Sequence, residues 1–245
     1  MSLRRKKHCT AIVLSAGKGK RMRSSVEKQY IELYNRPIIY YTLETFQASA
    51  VIDDIILVVG KGQTEDVRKN IVKKYNFSKV KAIVEGGAER YDSVWSGLQA
   101  IRNGIAGKAA EDGFVFIHDG ARPFVTETML KRGYDTVCKC GACVAGVPSK
   151  DTVKIVDAKE YAVETPQRQY VWTVQTPQIF ETKLIIEAYS RLMQEKSVNV
   201  TDDAMVVETM MKLPVKLFEG SYENIKITTP EDLDIAKVFL LKRRR

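Results

Sequence analysis

Short runs of Ile, Val, Leu and Phe alternate through the first half of the chain with longer segments in which apolar residues recur every three or four positions. Residues 55–59 form a continuous Ile/Val/Leu run, the pattern of a strand buried on both faces. Residues 10–14 form a short β-rich apolar run, and 80–84 and 114–118 also read as strands. Between them, residues 38–48, 64–75, 91–101 and 127–137 carry helical spacing, and Pro37 suits the entry to the first of these helices. Strand alternating with helix predicts an α/β fold: a mostly parallel sheet with helices on both faces, in three layers. Ligands of such sheets bind at the carboxyl ends of the strands.

The pattern changes after residue 140. Residues 142–147 read as a strand closed by Pro148. Residues 152–156 and 170–174 alternate like a pair of strands, with the polar stretch 157–169 between them. This predicts an arm, about residues 149–173, projecting from the sheet with one face covered by a partner chain. Residues 183–193 and 203–211 are predicted helices, 215–218 and 225–228 strands, and 230–241 a final helix with Pro and acidic residues in its first turn. There are no internal repeats or long linkers, and 245 residues are read as one domain, 1–245, that includes the arm.

Composition narrows the picture. Apolar content of 44% and charged content of 28% are ordinary for a soluble globular protein. The formal charge of +9 raises the question of a nucleic-acid or anionic-membrane partner. Eight of those charges lie in two terminal runs, Arg4 to Lys7 and Lys242 to Arg245, leaving about +1 (9 − 8) for the body. Such runs are ordinarily solvated, so neither a specific nucleic-acid partner nor a membrane surface is the favoured reading. No run approaches the ~20 apolar residues of a membrane span, and the apolar stretch 11–14 is too short for a signal peptide. A cytoplasmic protein is expected. Cys138, Cys140 and Cys143 form C-x-C-x-x-C, but His8 and His118 are far away in sequence, and a structural zinc needs four ligands. Reduced structural thiols are expected.

The candidate chemistry follows the predicted strands. After the first comes Ser15-Ala16-Gly17-Lys18-Gly19-Lys20-Arg21-Met22, with Lys28 further along the same loop. Small residues let backbone N–H groups approach phosphate oxygens, and Arg21 offers a planar charged fork. The spacing is neither a P-loop nor G-x-G-x-x-G. A surface turn with solvated lysines is the structural alternative, and position after the first strand favours phosphate binding. Gly86-Gly87-Ala88-Glu89-Arg90-Tyr91-Asp92-Ser93 joins a strand to a helix, which is either an anion site at a helix N-terminus or an ordinary cap. In His118-Asp119-Gly120-Ala121-Arg122-Pro123, Asp119 is placed to hold Mg²⁺ against phosphates and Arg122 to meet a second anion. Asp119-Gly120 is also simple turn chemistry, and His118 reads as a packed histidine. Asp151-Thr152 and Arg168 lie on the arm. Lys226, inside Asn224-Ile225-Lys226-Ile227-Thr228, is either edge protection or a cation facing the site.

Together, S-A-G-K-G-K-R-M, E-K-Q-Y, G-G-A-E-R-Y-D-S-V, H-D-G-A-R-P-F, K-D-T-V-K, V-Q-T-P-Q-I-F, T-D-D-A and N-I-K-I-T-T-P-E-D-L, in this order over about residues 9–241, resemble the 2-C-methyl-D-erythritol 4-phosphate cytidylyltransferase family. The resemblance implies a Rossmann-like nucleotide-diphospho-sugar transferase fold, a homodimer joined through the arm, and a reaction of CTP with a small phosphorylated polyol in the presence of Mg²⁺. It also implies residue roles. Arg21 and Lys28 match the stabilisers of triphosphate charge, and Lys226 matches a cation at the α-phosphate. Arg168 and Thr152 match arm residues that reach the alcohol phosphate from the partner subunit. Ser15, Ala16, Gly17, Gly19, Gly87, Arg90, Ser93, Asp119 and Gly120 match nucleotide contacts. Asp119, Arg122 and Thr176 match the alcohol side, with Asp119 also on the metal. Two positions depart from the family's pattern: Glu27 stands where proline is frequent before the loop lysine, and Ser15 replaces a frequent alanine. Ribitol-5-phosphate cytidylyltransferases resemble this chain too, but tend to show A-G-G-T-G-T-R-M and H-D-S-V-R-P.

Overall fold

A computed structural model describes residues 6–17, 27–195 and 199–243 of the chain. Its centre is β1 (Cys9–Ser15), flanked in parallel by β4 (Asp54–Val59) and β6 (Phe114–Asp119). β5 (Val80–Glu85) extends the sheet beyond β4. On the other side β10 (Trp172–Glu181) runs antiparallel between β6 and β7 (Ala142–Pro148), and β11 (Lys216–Glu219) closes the edge parallel to β7. The order is therefore β11-β7-β10-β6-β1-β4-β5, seven strands, mostly parallel, as the alternating pattern predicts.

The period of two along β1 divides the core. Ala11 and Val13 join one apolar cluster, beneath α1 (Ile38–Ala48) and α4 (Glu127–Cys140), whereas Ile12 joins the opposite cluster, under α3 (Arg90–Arg102) and α5 (Thr182–Leu192). α6 (Asp203–Met211) packs on that second face through Val206 and Val207. α7 (Pro230–Arg243) covers a third cluster with Leu33, Ile38, Phe124 and Ile227. Local signals set the helix ends. Thr126 caps α4 by accepting from Met129 N, and Gly141 terminates it at φ 75°. Glu89 and Asp92 form a reciprocal box at the start of α3.

Four sequence expectations need correction. The helix expected over 64–75 is α2 (Thr64–Val67), which continues as a wider π-type turn over Arg68–Lys73. The stretch 225–228 is not a strand: Ile227 N donates to Ala121 O, but among the described residues no strand pairs with this stretch, and α7 begins at Pro230. In the arm, the hairpin partner of β8 (Ile155–Val156) is β9 (Ala162–Glu164), inside the polar stretch expected to be irregular. Residues 172–174 instead begin β10 and pair with β7, because the sheet offers a longer ladder than the two-residue β8. The remaining short ladder, β2 (Glu32–Leu33) with β3 (Arg36–Pro37), leads into α1.

The four cysteines are free thiols. Cys9 and Cys143 are buried, and Cys138 and Cys140 are exposed. Burial pushes the Cys9 thiol up to about 12 and that of Cys143 higher still, so neither is a ready nucleophile or metal ligand.

Candidate active site

The carboxyl ends of β1, β4, β5 and β6 open into a cavity of about 990 Å³. Its walls include Ser15, Ala16, Gly17 and Lys28 on one side, Gly87, Arg90 and Ser93 on another, and Asp119 and Lys226 at its end. Residues assigned to four separate sequence segments thus meet around one space. Gly19 and Arg21 lie outside the described residues.

Close backbone approach builds the wall. Gly86 follows β5, and a Cβ there would stand 2.6 Å from both Ala16 Cβ and Ser93 Oγ. Only glycine lets that turn pack against the segment after β1. Gly120 plays the same part behind the cavity: its N–H donates to Leu14 O at 2.8 Å, and a Cβ would meet Ile39 Cδ1. Gly120 is therefore a packing position and not part of the cavity wall.

Asp119 is the electrostatic centre. Its carboxylate lies 2.9 Å from Lys226 Nζ and 3.6 Å from both Arg90 Nε and Arg122 Nε. Burial alone would raise the Asp119 carboxyl, but Arg90, Lys226 and Arg122 together outweigh it and hold the group far below the usual carboxylate range. The Lys226 that sequence pattern left between edge protection and the site faces the site. Arg122 sits behind Asp119, donating from Nη1 to Asn224 O at 2.8 Å. Burial lowers its pKa, opposed by Asp119.

Thr176 lies behind the cavity as well. Its hydroxyl accepts from Asp119 N at 3.1 Å and is 3.0 Å from His118 Nδ1. His118 Nε2 is 3.1 Å from Arg122 O, which only accepts. Nε2 must then carry the proton, and Thr176 donates to Nδ1. Burial lowers His118 to about 4, leaving a neutral, fully hydrogen-bonded ring. Its expected packing role agrees with this geometry.

Arg90 holds two partners of unequal strength. It donates bidentately to Asp203, at 2.8 and 2.7 Å, and approaches Asp119 only at 3.6 Å. Asp203 is completely buried and also accepts from Tyr189 Oη at 2.6 Å. Sequence reasoning missed Asp203 as part of the site. The only signal was the T-D-D-A segment, which reads equally as a helix start, and Asp202 does cap α6 by accepting from Met205 N. Gln29, which lines the cavity, was missed too, since an uncharged amide carries no chemical signature in a sequence.

Thr152 and Arg168 are exposed on the arm and do not line the cavity. Arg168 Nη1 donates to Lys150 O at 3.4 Å. Within one chain the two are not brought to the cleft. The arm also displays apolar side chains to solvent, with Tyr161 72% and Tyr170 77% exposed.

Among the described residues no group of three His, Cys, Asp or Glu side chains is placed to hold a metal ion. Asp119 is a hard oxygen donor at a strand end that lines the cavity. That suits Mg²⁺, which commonly uses one or two carboxylates and takes its other ligands from phosphates and water. Among the described residues no helix is long and apolar enough to cross a membrane.

Comparison with known proteins agrees with this architecture. A family model described as 2-C-methyl-D-erythritol 4-phosphate cytidylyltransferase matches residues 9–242. A protein of that name from Lachnospira eligens is 50% identical over 232 residues, covering 94% of this chain and 98% of its own. Another from Alkaliphilus oremlandii is 46% identical over 235 residues, covering 96% of each. The crystal structure of 4-diphosphocytidyl-2C-methyl-D-erythritol synthase from Anaerococcus prevotii superposes with a TM-score of 0.82 at 37% identity, covering 96% of this chain and 97% of that one.

Proposed function

This chain belongs to the 2-C-methyl-D-erythritol 4-phosphate cytidylyltransferase family, and we propose that the cavity around Asp119 is where its reaction takes place. The chain is a nucleotidyltransferase. It transfers CMP from CTP to 2-C-methyl-D-erythritol 4-phosphate, giving the CDP-alcohol and pyrophosphate in non-mevalonate isoprenoid biosynthesis. That membership sets aside the ribitol phosphate alternative and the reading as a basic-tailed binding protein.

The observation that carries the site assignment is the meeting of Lys28, Lys226 and Asp119 with the glycine turns in one cavity at the strand ends. A phosphate oxygen of the alcohol attacks the α-phosphorus of CTP. One P–O bond forms as the bond to pyrophosphate breaks, and no covalent enzyme intermediate is needed. Catalysis then rests on positioning and on charge stabilisation. The backbone of Ser15, Ala16 and Gly17, with Gly87 and Ser93, receives the nucleotide, and Arg90 borders it. Lys28 and Arg21 stabilise charge on the triphosphate. Lys226, held by Asp119, meets the α-phosphate and orients the nucleophile. Asp119 would hold Mg²⁺, whose chemistry is to neutralise phosphate charge. Arg122 and Thr176 support the alcohol side through Asp119.

Thr152 and Arg168 complete the alcohol site from a second subunit. The exposed apolar residues of the arm support a homodimer joined there. The chain is one domain with this arm inserted, and works in the cytoplasm.

The test is pyrophosphate release from CTP by the purified protein. Release should require both methylerythritol phosphate and a divalent cation, and should stop in excess chelator. Equal release with ribitol 5-phosphate would contradict the alcohol specificity, and undiminished release by Lys28→Ala would contradict the site assignment.

A further inference from the structure

Ser15 ends β1 and Glu27 precedes Lys28; both line the cavity, and a single side chain bonds to both. Gln29 Nε2 donates to Ser15 O at 2.7 Å and to Glu27 Oε2 at 2.7 Å. The amide has two N–H groups and both are used. Its orientation is settled by the partners, because the alternative would set a carbonyl oxygen against two acceptors. Gln29 is buried at 2% exposure and lines the cavity together with Lys28. Ser15 is tied a second time, through its hydroxyl to Tyr30 Oη at 3.4 Å.

We propose that Gln29 is a positioning residue for nucleotidyl transfer: its amide clasps Ser15 to Glu27 and so sets where Lys28 stands relative to the strand end. The backbone agrees. Glu27 sits at φ −60° and ψ 136° as the residue before a single 3₁₀ turn over Lys28–Tyr30, and Tyr30 N donates back to Glu27 O. One such turn has little stiffness of its own. A long lysine side chain on it inherits any drift of its anchor, and a shift on the order of 1 Å in a reacting assembly costs about 100-fold in rate. A hydrogen bond to an ionised acceptor is roughly twice as strong as a neutral one, so Glu27 is the firmer half of the clasp. The substitution of Glu for a frequent proline before Lys28 then has a physical reading. The backbone angle is one that proline would impose, and the carboxylate adds the acceptor that fixes Gln29.

The inference rests on the site assignment above, and the experiment separates the two. Gln29→Glu is nearly isosteric but faces one carboxylate with another. Wild type, Gln29→Glu, Glu27→Gln, the double variant and Lys28→Ala are compared for kcat and for both KM values, below each variant's unfolding temperature. Gln29→Glu is expected to lower kcat by about 100-fold with KM for methylerythritol phosphate little changed. In the Glu27→Gln background the same substitution is expected to cost at least about 5-fold less, since the new amide donates to the new carboxylate. Wild-type kcat in Gln29→Glu, or an equal cost in both backgrounds, overturns the clasp. If Lys28→Ala alone leaves kcat unchanged, the site assignment fails instead.

Discussion

Lys226 Nζ stands 2.9 Å from an oxygen of Asp119, joining an irregular segment before the last helix to the end of a central strand. The pair lines the cavity, and the buried Asp119 carboxylate would be costly there without its cations. Asp119 compensates three cations at once.

Asp119→Asn should therefore lower kcat by at least about 100-fold. It should also destabilise the fold in a pH-dependent way. The folded-state carboxyl lies far below its unfolded value of about 3.9. Its contribution is thus fully present above about pH 4 and is lost as pH falls further. In urea unfolding, the gap between wild type and Asp119→Asn should be roughly 1 kcal/mol smaller at pH 3 than at pH 7, and still open at pH 3, because the folded carboxyl remains ionised there.

Asp203→Asn should cost about 3 kcal/mol of stability, the scale of breaking a buried ion pair. Burial would lower the pKa of Arg90, but the Asp203 carboxylate reverses that and holds it well above normal. A guanidinium is not deprotonated in proteins, so Arg90 stays charged when its partner is neutralised, and the substitution should raise KM for CTP as Arg90 turns toward Asp119. Tyr189→Phe removes only the 2.6 Å hydrogen bond to Asp203 and should show the same change in smaller measure. Unaltered stability in both variants would remove Asp203 from the account.

Asn224→Ala should separate Lys226 from its frame. Asn224 is fully buried, its Nδ2 donates to Thr176 O at 2.8 Å and to Gln175 Oε1 at 3.2 Å, and its carbonyl receives Arg122. Loss of the two side-chain bonds, with the backbone carbonyl still receiving Arg122, should lower kcat about 10-fold or more, with KM for CTP nearly constant, since the nucleotide-facing glycine turns are untouched. An effect confined to KM for CTP would contradict the placement.

His118 should remain neutral down to about pH 5 in an NMR titration, because burial sets its folded pKa at about 4. Relative to an unfolded value of about 6.5, the neutral ring stabilises the fold fully above that pH and progressively less as pH falls toward 4. Any kinetic pKa near 6.5 should consequently persist in His118→Gln.

Arg168 and Lys28 should complement in trans. Mixtures of Arg168→Ala and Lys28→Ala chains, each inactive alone, should recover activity once subunits exchange, because one site in each heterodimer is then intact. No recovery after exchange has been demonstrated would mean that the arm does not reach a partner's cavity.

Much of this protein is legible in its sequence. The run at 55–59 reads as a strand buried on both faces and 114–118 as a strand, as the structure has them, and the alternation of such strands with helical spacing leads to a mostly parallel sheet. Glycine turns and cations directly after those strands located the cavity, because a parallel sheet presents its strand ends to ligands. Non-local pairing was not legible. Alternation at 152–156 and 170–174 suggested two strands that pair with each other, yet pairing depends on which backbone lies alongside, so β9 takes β8 and residues 172–174 join β7. Periodicity at 225–228 suggested a strand for the same reason, but strand identity needs a pairing strand, and among the described residues none pairs with that segment. Lys226 was a cation with two possible roles until the fold set it against Asp119. Arg90 read as a nucleotide contact, while the fold gives it first to Asp203. Sequence thus determined which elements form and which ends carry chemistry, because both follow from local spacing and residue type. Only tertiary structure decided which buried charge answers which, and that Gln29 holds Ser15 and Glu27 together, because those choices depend on distances between segments far apart along the chain.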